Sequence, residues 1–233
     1  MGTGQGKLPQ ELVTDNALLK RKYESEELGG AEVVTASPSG SGVRFVAPSG
    51  TVAADGTITL GTALPAVFAS GVYLWLPAGA ISGGSAGWYL ATMSSTTVGT
   101  IAGVGSGSAY TGATSEVTAL SVDIPTPSKG AASILRLAHM CASNTNAKTA
   151  RFRIGGTQYM TTAISTVGHA LFVAKLLITG LGDGVVSITS ENGGGSSAGG
   201  ILTGVGSAIS INCTLQLATA TDYLGCAPAV LQG

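Results

Sequence analysis

Lys148-Thr-Ala-Arg-Phe-Arg-Ile-Gly-Gly-Thr-Gln-Tyr159 is the stretch on which the fold turns. Ala150, Phe152 and Ile154 alternate with Arg151 and Arg153, a period of two that puts both arginines on one face of a strand and Phe152 on the other. Gly155-Gly156 then supplies a tight link, because the favoured two-residue hairpin turns need positive φ. The stretch predicts two antiparallel strands, Lys148 to Ile154 and Gln158 to Ile164, with one face buried.

Outward from this hairpin the same grammar recurs: short β-branched runs punctuated by Gly, Ser, Thr, Asn and Pro. On the amino-terminal side it predicts strands at Val43 to Val46, Thr57 to Leu60 after the Asp55-Gly56 turn signal, Val72 to Leu76, Trp88 to Met93, Val117 to Ile124 and Ser133 to Ala142. On the carboxyl side it predicts Ala170 to Thr179, Val185 to Thr189, Ala208 to Leu217 and Tyr223 to Leu231. The glycine-rich runs Gly83 to Gly87, Gly103 to Ser108 and Gly193 to Gly200 read as flexible loops by composition. No 40-residue repeat recurs, so a two-sheet sandwich fits better than a propeller, and a jelly roll is the preferred topology.

The first 32 residues are different, holding ten of the 23 charged side chains. Residues 16–28 carry good helix formers that stop at Gly29-Gly30, predicting one short helix. Leu12, Leu18, Leu19, Tyr23 and Leu28 are too few to fold alone, so this arm must dock on something. The fold class expected is therefore mainly β, an antiparallel jelly-roll-like β-sandwich with a short N-terminal helical arm. Its divisions are an arm at 1–34, a β-rich region at 35–112 and a sandwich at 113–233.

Composition narrows the function. Only 10% of residues are Asp, Glu, Lys or Arg, against about 25% in an average globular protein. A monomer needs charge to keep its surface wet and its neighbours away, so a chain this poor in it is expected to shield surface in an assembly. The net charge of −1 lacks the basic field of a nucleic-acid binder. No run approaches the roughly 18–20 apolar residues of a membrane span, and the amino terminus gives no support for a cleaved secretion signal. Cys141, Cys213 and Cys226 are odd in number and widely spaced, indicating neither a disulfide framework nor a zinc site; they read as reduced, half-buried strand residues.

Three segments resemble the β-rich structural proteins of tailed bacteriophages: head fibres, capsid decorations and tail fibres. They are Val72 to Thr100 with its Pro77-Ala-Gly-Ala-Ile81 and Gly87-Trp-Tyr89 runs, Asn144 to Tyr159, and Leu215 to Tyr223. With intervening strands the likeness covers most of residues 50–233. It implies a terminal jelly roll in which Asn144 to Tyr159 is a strand-turn-strand and Leu215 to Tyr223 a closing hairpin. It departs from that family at Gly225 to Val230, where Pro228 restricts the strand to an edge or a bulge. The resemblance further implies a virion structural protein, self-associating as a homotrimer and docked by its arm on a major capsid or tail protein. A tail-fibre or receptor-binding role toward host-surface glycan or protein is the alternative.

Catalytic signals are weak. Gly83-Gly-Ser-Ala-Gly87 and Gly195-Ser-Ser-Ala-Gly199 match the spacing of a hydrolase elbow, but neither is followed by the helix it needs, so both read as loops. His139 and His169 lie in apolar or alternating runs and read as core or sheet-surface residues. Asp55, Asp123, Asp183 and Asp222 are scattered beside turns, where a carboxylate accepts local backbone hydrogen bonds. No catalytic residue, metal ligand or cofactor is expected, and the chain reads as a non-enzyme. Tyr73, Trp75, Trp88 and Tyr89 suit either a sugar-stacking platform or packing between the sheets, and core packing is the reading preferred.

Overall fold

A computed structural model describes residues 32–33, 42–124, 132–163, 169–178, 182–191, 197–205, 209–227 and 230–232. All regular structure among them is strand. The expected helix, with Leu12, Leu18, Leu19, Tyr23 and Leu28, lies outside the described residues.

In chain order the strands are β1 (Glu32–Val33), β2 (Arg44–Val46), β3 (Gly50–Val52), β4 (Thr57–Leu60), β5 (Val72–Leu76), β6 (Gly87–Met93), β7 (Val98–Ile101), β8 (Ala109–Tyr110) and β9 (Val117–Ile124). They continue with β10 (Ala132–Cys141), β11 (Lys148–Ile154), β12 (Thr157–Ala163), β13 (His169–Ile178), β14 (Gly182–Glu191), β15 (Ser197–Val205), β16 (Ile209–Leu217), β17 (Leu224–Cys226) and β18 (Val230–Gln232).

These strands form two sheets. A small one runs β12-β11-β16-β9, and a large one runs β15-β14-β13-β10-β17-β2-β5-β6-β7-β4-β3-β8. β18 also lies along β10 and carries β1. The join between the two halves of the large sheet is β17, which pairs with β10 on one side and β2 on the other. Pairing is antiparallel except between β2 and β5, which run parallel, a departure from the all-antiparallel expectation.

Local chemistry explains the elements. Thr57-Ile-Thr-Leu60 turns Ile58 and Leu60 inward, and the preceding turn closes because Asp55 Oδ1 accepts the Thr57 N–H at 2.9 Å while Gly56 sits at φ +81°. Gly155 and Gly156 both have positive φ, as the β11–β12 link requires. β11 alternates from Lys148 to Ile154, with Ala150, Phe152 and Ile154 buried and the two arginines on the outer side.

Two cores result. In the amino-terminal half, Phe45, Ile58, Val72, Leu74, Leu76, Ala91, Met93 and Ile101 pack together; each large side chain removed from water contributes about 1.5–3 kcal/mol. In the sandwich, Leu120, Phe152, Ile154, Ile211, Leu215 and Leu217 are buried with Cys213 and His139.

Several expectations need correction. The expected strand Tyr223 to Leu231 is two strands, β17 and β18, separated by the interval that holds Pro228, which lacks a ladder N–H. The end of the glycine run read as a loop is instead β15, an outer strand whose Gly199 and Gly200 lie opposite Ser187 and Val186; the ladder is made by main chain, which small residues do not impede. β3, β7 and β8 come in addition to the expected strands. The cysteines are fully rather than half buried, because each faces the core from its strand.

Candidate functional site

Two polar nodes are closed to solvent. Lys148, at 0% exposure, donates from Nζ to Asn144 Oδ1 at 2.6 Å and to the Asn146 carbonyl at 3.0 Å, and lies 3.6 Å from Asp222 Oδ2. Asn144 Nδ2 donates in turn to Asp222 Oδ1 at 2.8 Å. This node ties the start of β11 to the turn before β17, so Asp222 does more than end a turn. His139 is buried with Nε2 3.9 Å from Cys213 Sγ and its ring edge-on to Phe152; burial pushes it down to about 3. The three thiols are free, and burial pushes Cys226 up to about 12 and Cys213 well above the usual thiol range. These groups are structural.

Of the four aromatic residues, Tyr89 packs against the core as expected, but Tyr73, Trp75 and Trp88 do not face it. Along β5, Val72, Leu74 and Leu76 take the core and Tyr73 and Trp75 the opposite, outer face. Trp75 pairs in register with Trp88 and Tyr73 with Leu90, so these four share that face, whereas Tyr89 pairs with Leu74 on the inner side. Trp75 and Trp88 meet edge to face at 5.5 Å, and Arg44 lies over the Tyr73 ring at 5.3 Å. Leu90 is 51% exposed and borders a groove of about 340 Å³ lined also by Trp88, Thr92, Thr100 and Ala102. The physical reason is that aliphatic side chains fill the core without polar atoms to satisfy, whereas the Trp88 indole needs an acceptor; it donates to the Thr118 carbonyl on β9 at 3.1 Å.

Beside Trp88 begins the outer face of the small sheet. Register aligns Thr118, Thr214, Arg151 and Thr161 in one row and Ser121, Asn212, Arg153 and Gln158 in the next, every one polar. At roughly 4.8 Å between strands the rows span about 14 Å. The side chains are tied to one another: Arg153 donates to Glu116, to Thr214 Oγ1 at 2.9 Å and to Gln158 Oε1 at 3.4 Å, and Gln158 Nε2 donates to Thr161 Oγ1 at 2.8 Å. Arg151 Nη1 lies 3.3 Å from Glu116 Oε2. The hydrogen bond from Arg153, with that from Thr214, holds the Glu116 carboxyl below its usual range, so Glu116 stays ionised and is an acceptor rather than a proton donor. Among the described residues no group of His, Cys, Asp and Glu is arranged to hold a metal ion.

Alternation along β11 places Arg151 and Arg153 on one strand face, as the structure does, but local pattern gives no role to Glu116, Thr214 or Lys148: Glu116 and Thr214 meet each other and Arg153 from distant stretches of the chain, and Lys148 meets Asp222 in the same way. Asp55 sits at its turn as expected. For Asp123, Asp183 and His169 only the strand is described.

No family model matches the sequence, and no curated protein matches it. Among solved structures, the sugar-binding C-terminal domain of EclA shares 8% identity over 52% of this chain and 79% of that one, with a TM-score of 0.28. Alginate lyase Aly36B shares 13% over 51% and 80%, with a TM-score of 0.31. Galectin LEC-6 of Caenorhabditis elegans shares 12% over 51% and 96%, with a TM-score of 0.27. Overlap this slight adds nothing to the strand order described above.

Proposed function

We propose that this chain is a non-enzymatic structural protein of a bacteriophage particle, a head fibre or capsid decoration that docks through its amino-terminal arm and projects a β body as a homotrimer. The observation that carries this reading is a body almost free of ionic groups whose two halves share one continuous sheet through β17. Such a body is stiff, and its low charge suits packing against copies of itself and a larger shell. The finer topology within the proposal is a jelly roll for residues 113–233: β9 lies beside β16 and β10 beside β17, nesting the start of this half against its end. Residues 35–112 then form the β-rich region between arm and sandwich. The resemblance at Val72 to Thr100, Asn144 to Tyr159 and Leu215 to Tyr223 supports the same assignment.

The second reading, a tail fibre or other receptor-binding protein recognising host-surface glycan or protein, is favoured by the outward Tyr73, Trp75, Trp88 and Leu90 and by the adjoining polar rows. Antibody labelling of intact particles separates the two. Label on the head supports decoration, label at the tail tip supports receptor binding, and particles without label overturn both. Removing residues 1–32 is expected to leave a folded body that no longer enters particles.

A further inference from the structure

We propose that the outer face of β9, β16, β11 and β12 is a binding site for an acidic saccharide, with Arg151 as the group that takes its carboxylate. This site deepens the receptor-binding reading and rests on it for its biological setting. Four observations carry it. First, of the charged side chains described in the body, only Asp55, Glu116, Arg151 and Arg153 are not buried, and the last three are together on this face. Among the described side chains of the body, exposed charge is gathered here. Second, among the described side chains the cluster holds two guanidiniums for one carboxylate.

Third, the two guanidiniums are not equally used. Arg153 is committed to Glu116, Thr214 and Gln158. Arg151, with its side chain 20% exposed, has Glu116 beside it as an ion pair but makes no hydrogen bond among the described residues. The unbonded Nη1 is buried against Glu116, and a guanidinium presents its remaining donors as a planar fork from which a carboxylate accepts two parallel bonds. Fourth, the surroundings are hydroxyls and amides fixed by mutual hydrogen bonds, with Gln158 and Thr161 on one side and the Trp88 indole at the β9 edge. Preorganised polar groups about 5 Å apart match the hydroxyls of successive sugar rings and lower the entropy lost on binding.

The test uses the full chain in calorimetric titrations with tetragalacturonate, with a neutral galactose tetrasaccharide and with inorganic phosphate. The expected result is a preference of at least tenfold for the acidic sugar over both others, weakening as salt rises. Arg151→Gln is expected to lower acidic-sugar affinity at least tenfold. Thr161→Glu, at an exposed position in register with Arg151, is expected to do the same by placing a carboxylate in the site, and keeps the test decisive should the arginine variant fail to fold. Equal binding of acidic and neutral sugars, phosphate binding as tight as the sugar, no binding at millimolar concentration, or folded variants that bind as well as the parent would each overturn the proposal. Particle labelling is independent of all these, so the virion assignment stands or falls separately.

Discussion

The ammonium of Lys148 lies 3.6 Å from Asp222 Oδ2, with neither side chain more than 5% exposed. Two opposite charges withdrawn from water in this way are stable only as a pair, and removing one partner strands the other. Lys148→Met is therefore expected to cost about 3–5 kcal/mol, a large share of the roughly 5–15 kcal/mol that holds a domain together. The paired replacement Lys148→Met with Asp222→Leu removes both charges and is expected to cost less than either single change. Urea denaturation of the three variants checks this, and a double variant weaker than both singles would contradict it.

His139 gives the fold a defined acid response. Above the ordinary imidazole value of 6.5 the ring is neutral in folded and unfolded chains alike, and it contributes no pH dependence. Below it the unfolded chain takes up a proton that the native core refuses until about pH 3. Stability is lost as pH falls through that window, by about 1.4 kcal/mol per unit from this one group. His139→Gln is expected to flatten the urea midpoint against pH between 6 and 4 relative to the parent. Parallel lines for the two proteins would show that His139 is not the titrating group.

Gly225 marks the tightest point of the join between the two halves. It sits in β17 opposite Phe45 of β2, and a Cβ there would run into the Phe45 ring and come within 2.5 Å of the Arg44 carbonyl. The main-chain carbonyl has no room to yield between paired strands. Gly225→Ala is expected to cost about 3 kcal/mol, which for a chain this long is a fall in Tm of roughly 6–12 °C. Gly105→Ala, where a Cβ would meet nothing within 4 Å, is the matched control and is expected to leave Tm unchanged. Equal melting of the two variants would refute the argument.

What the sequence discloses depends on whether the two faces of a strand differ. In β11 apolar and charged residues alternate, and both the strand and its buried face are readable from Lys148 to Ile154. In β5 both faces are apolar, so Val72-Tyr-Leu-Trp-Leu76 reveals a strand but not which side is inside, and the expectation of core packing for its aromatic residues fails for that reason. β3, β7 and β15 carry Gly and Thr where β-branched aliphatics would announce a strand, and are held by ladders with neighbouring strands. The polar rows escape sequence reading for a further reason. Thr214 and Glu116 belong to them through hydrogen bonds across a separation of 98 residues, which no local pattern encodes.

Trp88 is one place where the amino-terminal region meets the small sheet. Its indole N–H caps the Thr118 carbonyl on β9, the outer strand of that sheet, and its ring edge rests on Trp75. Trp75 shares the ring contact but makes no side-chain hydrogen bond among the described residues. Replacing each by phenylalanine keeps a ring in place and removes a bonded donor only at Trp88. Trp88→Phe is thus expected to cost about 1 kcal/mol more than Trp75→Phe in matched urea melts, the net worth of one hydrogen bond. If Trp75→Phe proves equally or more damaging, the contact between β6 and β9 is held by ring packing and the indole N–H contributes nothing to it.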